Sequence, residues 1–420
     1  MSGNPGLSSV FMTPPQKDFF SHSARWCTFG SAVAILFSIA VSQILLGLAL
    51  ASLLLSGDPL RLPRIKLPLL LFLAGTVVAL LFSGEPAHGL AQIKKFYVFG
   101  ELLVVFSCLR EMRVVRWVFL AWGAFAGVDA LRGFLQFAAK IHQAHALGIA
   151  SSNFYLYYLP HRITGFMSHW NTFSEEEMYA LLMLAAFLFF SPHARKRAWL
   201  WISLLVCLAL AVLLAETRGV WIATAAAALY LVWFWQRKLV LAVPVLVAVA
   251  FLASPHAIRE RFESISRPQQ QDSNEFRYIT WRTGWEMIKA HPWLGIGPDG
   301  PKYHFREYIP ADIPRPLPDG FYQHLHNFYL QWAAERGIPV MLIGMWMLFE
   351  IPVDFWRGLR QLPPGRDARR FLLHGAIAVW IATMIDGFVE MNLGDTEPLT
   401  MFLVVVACGY LALEKNLAVE

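Results

Sequence analysis

Cysteine is scarce in this chain: Cys27, Cys108, Cys207 and Cys408 are the only thiols among 420 residues. They stand in apolar stretches or at their edges, never as C-x-x-C, so they read as small core residues, not as a disulfide framework or a metal site. Charge is scarce too. Only 15% of residues are Asp, Glu, Lys or Arg, while 57% are hydrophobic, which excludes an ordinary soluble domain and fits a multi-span membrane protein. The sequence has no G-x-x-x-x-G-K-[ST] phosphate loop and no H-E-x-x-H, and its external side carries no D-x-D aspartate pair. No nucleotide or metal cofactor is therefore expected, and an activated substrate must bring its own leaving group. No internal repeat of about 20 to 50 residues is visible. Residues 1–25 are polar, with Pro14, Pro15 and Lys17, and lack a short apolar core before a small-residue cleavage site. The first apolar run is therefore expected to be a retained anchor.

Apolar runs do occur, at about 28–56, 67–83, 90–109, 114–138, 178–190, 198–234, 239–254, 328–351, 371–389 and 399–413. A span needs about 20 residues. The run 198–234, interrupted by Glu216, Thr217, Arg218 and Gly219, reads as a hairpin of two helices. The first run, broken near Ser42 and Gln43, reads as two short helices, with one long tilted helix as the alternative. The fold class expected is an all-α polytopic membrane protein of about twelve transmembrane helices. Spans 1–9 fill residues 1–254, with a smaller external segment at 139–172. A large external loop, 255–325, separates spans 9 and 10, and spans 10–12 fill 326–420.

The net charge of +6 would suggest nucleic acid for a soluble chain, but here the cations sort by side, and no nucleic-acid partner is expected. Alternate connections carry Lys17 and Arg25; Arg61, Arg64 and Lys66; Arg110, Arg113 and Arg116; Arg195 to Arg197; Arg237 and Lys238; Arg357 to Arg370; and Lys415, together 19 of the 35 basic residues. This alternation puts both termini in the cytoplasm and the 255–325 loop outside. The other cations include Lys94, Lys95, Arg132, Lys140, Arg162, Arg218 and Arg336, and the rest lie from Arg259 to Arg315. Cations on the wrong side or inside spans need a partner. An anionic ligand outside the membrane is the economical one.

Within the external segments, NFYLYYLP at 153–160 suits the lipid headgroup level. Ser174 with Glu177 three positions on has the spacing of a capping box that starts the next span. RYITWRTGWEMIKAHPW at 277–293 places Tyr278, Trp281, Trp285 and Ile288 at helical spacing, an amphipathic helix ended by Pro292. The proline-rich strip 309–320 is expected to be extended. The chemistry centres on HNFYLQWAAERGIPV at 326–340, where a helix begins directly after the long polar stretch. His326 stands at the positive end of that helix, which disfavours protonation and leaves the ring available as a base, with Asn327 as a cap. The alternative makes His324 and His326 interfacial residues bonded to loop carbonyls. Glu335, nine residues on, falls on the opposite face at about 100° per residue, so a buried pairing with Arg336 or a neighbouring span is expected of it. Arg218 caps a tight external turn and cannot lose its charge; the alternative is a snorkelling arginine paired with Glu216. Arg162, Arg277 and Arg282 suit a bidentate grip on phosphate, or are solvated loop charges. HPWLGIGPDG at 291–300 is either an amide nest for an anion or a Gly-rich helix-ending turn.

HNFYLQWAAERGIPV resembles the H-[NS]-x-x-L-x-x-x-x-E-x-G signature of the bacterial O-antigen ligase family, through His326, Asn327, Leu330, Glu335 and Gly337. RITGFMSHWN from Arg162, ETRGVWIA from Glu216, and the stretch from Trp281 through HPWLGIG are similar to flanking features of that family, in the same order and on the same side. The resemblance implies a GT-C-type glycosyltransferase of the bacterial inner membrane. It would move a glycan from undecaprenyl pyrophosphate to lipid A-core at a periplasmic site, with inversion and without a metal. In that reading His326 takes the acceptor proton. Arg162 and Arg218, with Arg277 or Arg282, hold the pyrophosphate. O-antigen polymerases and protein O-oligosaccharyltransferases share the signature and the donor. From another class, a lipid-linked glycan flippase would line a path through the spans with charge, whereas here the unexplained cations gather at one external face.

Overall fold

The structure, a computed structural model, describes residues 13–241, 273–318 and 320–414, together with residues 249, 252 and 259. Among the described residues every regular element is helical. The expected span 239–254, the first half of the external loop and Lys415 lie largely outside them.

Among the described residues seven helices are long and apolar enough to cross a membrane. They are α2 (Ile39–Ser56), α6 (Met112–Ala146), α9 (Ala198–Leu214), α10 (Arg218–Trp235), α14 (Phe328–Gln361), α15 (Ala368–Asp386) and α16 (Thr396–Leu413). The expected hairpin forms, α9 turning into α10 through Ala215 to Thr217; the first run also falls on two helices, α1 (Pro14–Ala34) and α2, but the break lies at 35–38, with Ser42 and Gln43 inside α2. On α9 the side chains of Trp199, Ile202, Val206 and Leu210 form an exposed apolar stripe, a face that only lipid or another apolar surface would cover. This is a multi-pass membrane protein.

The other expected spans come out differently. The run 67–83 gives α3 (Lys66–Leu81), shorter than the seven. The run 90–109 does not form one helix: α4 (Pro86–Lys94) and α5 (Gly100–Cys108) are separated by a 3-10 turn over Lys95–Phe99. The run 178–190 begins earlier, at α8 (Trp170–Phe190), because His169, not Ser174, caps it; the His169 ring accepts the Asn171 N–H. Ser174 instead donates back to the Asn171 carbonyl. α8 therefore carries Glu175, Glu176 and Glu177 inside the bundle, all buried, enclosed by α6, α9, α10 and α15.

The loops separate into two sets at opposite ends. At one end Arg61 pairs with Glu414, Arg25 with Glu111 at 2.6 Å, and the Asp367 N–H donates to the Phe190 carbonyl. These are the connections expected to be rich in cations. At the other end the segments 82–99, 158–171, 215–217 and 387–395 meet the loop 255–325, whose described part holds α12 (Ser273–Ala290) and α13 (Gly300–His304). α12 forms as expected but turns a different face inward. Ile279, Thr280, Thr283, Met287 and Ile288 are buried, whereas Tyr278 and Trp285 are exposed. The small Thr280, Thr283 and Gly284 let the helix lie close on Leu325. Within the 153–160 aromatic run, Tyr158 is buried and donates to the Leu214 carbonyl at 2.7 Å, which braces the segment bearing Arg162 against the α9–α10 turn.

α14 explains how the loop is held. Gly337 has φ +79 and interrupts the helix, and Pro339 follows. Pro339 has no N–H to give the Glu335 carbonyl, and the break separates Ile338 from Ala334. The loop string 292–297 replaces these partners: Ile296 N–H donates to Ala334 O at 2.8 Å, Gly297 N–H to Glu335 O at 3.0 Å, and Ile338 N–H to Pro292 O at 2.8 Å. The Ala334 and Glu335 carbonyls that the kink frees are thereby satisfied. HPWLGIGPDG is thus the helix-ending turn of the two alternatives: the Gly295 N–H closes back on the His291 carbonyl, and the Ile296 and Gly297 amides are committed to α14 carbonyls.

Candidate active site

His326 is the last residue before the helix cap, and its backbone is left-handed, φ +48. A β-carbon makes that conformation unfavourable, so neighbouring contacts must hold it. They do: the His326 N–H donates to His324 Nδ1 at 3.2 Å, and its carbonyl accepts from Trp281 Nε1 at 3.3 Å. Asn327 caps α14, accepting the Leu330 N–H at 2.9 Å. Its amide donates to the Phe388 carbonyl at 3.0 Å, and the Phe328 N–H donates to Gly387 O at 3.0 Å. The start of α14 is thereby sewn to the turn between α15 and α16.

That turn supplies the partner of the buried histidine. Glu390 Oε1 lies 3.2 Å from His326 Nδ1. The same oxygen accepts the Met391 N–H at 3.1 Å, and Oε2 accepts from Asn171 Nδ2 at 2.6 Å. His326 Nε2 faces the Phe321 carbonyl at 3.0 Å, and the ring packs edge-on against Phe276, 4.9 Å between centroids. His324 stands beside it, ring centroids 4.0 Å apart. Burial alone would raise the Glu390 carboxyl, but the bond from His326 and the charges of His326, His324 and Arg277 reverse this and hold it well below the usual carboxylate range. Burial pushes His324 down to about 4, with His326 adding in the same direction, and it lowers His169 too, where Arg162 and His326 act with it against Glu390. The result is a fixed anion beside a pair of histidines, His324 and His169, on which burial discourages protonation.

Of the expected arginines, three gather around this turn. Arg277 donates from Nε to the Val389 carbonyl at 3.0 Å and sets its terminal nitrogen 3.7 Å from Glu390. Arg218 is the first residue of α10 and is buried; the next residue, Gly219, packs on Val389 and Asp386 so closely that a β-carbon would sit 2.6 Å from the valine. Arg162 lies over the Trp170 ring, 4.3 Å from its centroid, and donates to the carbonyl of Glu216 at 3.1 Å. Glu216 itself is left-handed, φ 50. Two of the three non-glycine residues with positive φ among the described residues, Glu216 and His326, thus border this one site. Arg282 is not brought into the group. Five positions on from Arg277 it has turned about 140° around α12, and both its terminal nitrogens grip Asp312 at the surface, at 2.6 and 2.9 Å.

Glu335 lies away from His326, in a closed network. It pairs with Arg336 and accepts from Gln92 Nε2 at 2.8 Å, Gln331 Nε2 at 2.7 Å and the Asp299 N–H at 3.1 Å. Arg336 in turn donates to Thr76 at 3.0 Å. Beside this network an apolar cavity of about 80 Å³ is lined by Phe72, Phe99, Trp332, Leu403 and Met391, the last adjoining Glu390.

Glu390, Asn171 and His169 escaped the reading of the sequence. The signal for Glu390 was present: Asp386 ends α15, and the turn to α16 holds Glu390 and Asp395, acids where an imidazole partner was needed. His324, His326 and Glu390 also offer ligand atoms within 4.8 Å of one another. Here, though, His326 Nδ1 and Glu390 are spent on each other and Nε2 faces the Phe321 carbonyl.

Residues 203–345 match the family model described as O-antigen ligase. The matched stretch holds Arg218, Arg277, His326 and Glu335; it begins after Arg162 and ends before Glu390. The match supports the O-antigen ligase family for this chain. No curated protein matches it.

Proposed function

We propose that the protein is a GT-C-type membrane glycosyltransferase of the bacterial inner membrane. It transfers O-antigen glycan from undecaprenyl pyrophosphate to lipid A-core, with the site on the periplasmic face. The observation that carries the reading is the pairing of buried His326 with Glu390 inside a turn ringed by Arg162, Arg218 and Arg277.

In this scheme Glu390 keeps the proton on His326 Nδ1, so that Nε2 is the basic nitrogen. The acceptor hydroxyl takes the place of the Phe321 carbonyl at Nε2 and gives up its proton there. Its oxygen forms the new bond to the anomeric carbon, with inversion, as the bond to the pyrophosphate oxygen breaks. The departing diphosphate gathers charge, and fixed guanidinium groups meet it without reorganising. Arg218 at the first position of α10 sits against the positive end of the helix dipole; an anion there satisfies both helix end and side chain. The role asks for no metal. The two-ended sorting of cation-rich and cation-poor loops supports a site on the side away from the cytoplasm.

The test is reconstitution of the purified protein with lipid-linked glycan and lipid A-core, with and without chelator. Joined product in both conditions is expected. Product from donor alone would replace the ligase reading by a polymerase, and glycan moved across the bilayer without joining would replace it by a flippase.

A further inference from the structure

We propose that Glu85, His88 and His304 form a second site, a binding site for one zinc ion that clasps the external loop to the turn between α3 and α4. It shares no residue with the His326 group. The three residues offer ligand atoms within 4.8 Å of one another. Glu85 Oε2 lies 2.7 Å from His88 Nδ1 and 3.8 Å from His304 Nε2. Tetrahedral bonds of about 2.0–2.1 Å separate neighbouring ligand atoms by about 3.3 Å, and the two observed separations fall on either side of that.

Three details set this group apart from a chance cluster. His88 Nδ1 is buried and makes no hydrogen bond although the Glu85 carboxylate oxygen is 2.7 Å away. His304 turns Nδ1 to Glu307 Oε1 at 3.0 Å, which fixes the tautomer and leaves the Nε2 lone pair for the ion, the carboxylate-histidine arrangement found behind metal-bound imidazoles. Glu85 occupies the N-cap of α4 yet makes no cap bond, so its carboxylate is not needed by the helix. The His88 ring is held by stacking on Tyr303, 3.9 Å between centroids and 11° between planes. Two imidazoles and one carboxylate suit zinc better than magnesium or calcium, which require mainly oxygen.

The clasp has mechanical sense. His304 ends α13, on the loop that continues to His326, while Glu85 and His88 belong to the 82–99 segment that follows α3. Zinc across them adds a bond to a docking otherwise made by the 292–297 string. The experiment uses the untagged, full-length protein, stripped with chelator and titrated with zinc sulfate by calorimetry, with bound metal counted and thermal midpoints read. One zinc per chain and a raised midpoint are expected. His304→Ala and His88→Ala should abolish both, Glu307→Gln should weaken binding about 10- to 100-fold, and His324→Ala should leave it unchanged. Absence of stoichiometric zinc in the wild type, equal binding by the His88 and His304 variants, or loss only in His324→Ala would overturn the proposal.

Discussion

At the scale of single residues, the signature around His326 divides by job. Asn327 caps a helix, Leu330 packs with the buried core of the loop, Glu335 anchors a polar network and Gly337 supplies a left-handed turn. These four shape the start of α14, and only the histidine is held in a strained conformation against an anion. The sequence made His326, Arg162, Arg218 and Arg277 visible because cations and a histidine stood where topology could not use them. It hid Glu390, since an acid in an outward turn needs no excuse. Glu390→Gln should therefore lower the rate of transfer about 100-fold or more, the loss expected when a base loses its orienter, while donor binding persists. Unchanged turnover would reduce Glu390 to a packing residue. Arg218→Lys should also fail, because a point charge does not reproduce a two-pronged phosphate grip; normal turnover with lysine would make Arg218 a turn charge only. His324 carries a pH effect. Unfolded, it binds a proton near its ordinary 6.5, but folded it stays neutral down to about 4. Stability thus rises with pH across that window and is lost as pH falls through it. The thermal midpoint of the wild type should drop from pH 6.5 to 4, and His324→Gln should flatten that slope.

At the scale of elements, hydrophobic runs located most of the long helices but not their ends, and the run 90–109 gave two short helices in place of a span. α8 begins two turns before its apolar run because a histidine caps it, and an apolar-run reading stops at Glu177. α12 was legible as a helix, yet its buried face is set by Thr280, Thr283 and Gly284, since close approach favours small residues over the aromatic stripe a periodicity argument selects. The break in α14 could be read from Gly337 and Pro339, whereas the loop string that fills it is a long-range pairing no local pattern encodes. Gly337→Ala tests that element: the added β-carbon meets the Trp293 carbonyl at a positive φ. Destabilisation of about 1–3 kcal/mol is expected, seen as a lowered thermal midpoint and faster proteolysis of the 292–297 string. A neutral substitution would mean that the kink does not depend on glycine.

At the scale of the whole molecule, the helices sort the loops to two ends, and the residues with the strongest physical case for chemistry meet at the end poor in orienting cations. His326 and Glu390, far apart in sequence, close the site only because α14 and α15 pack side by side and their ends share backbone bonds. The measurement that bears most directly on this arrangement is single-turnover transfer in proteoliposomes, comparing wild type with His326→Ala, with donor binding followed in parallel. A base at His326 predicts a rate reduced about 100- to 10,000-fold at nearly unchanged donor affinity. Transfer by His326→Ala at the wild-type rate would contradict it.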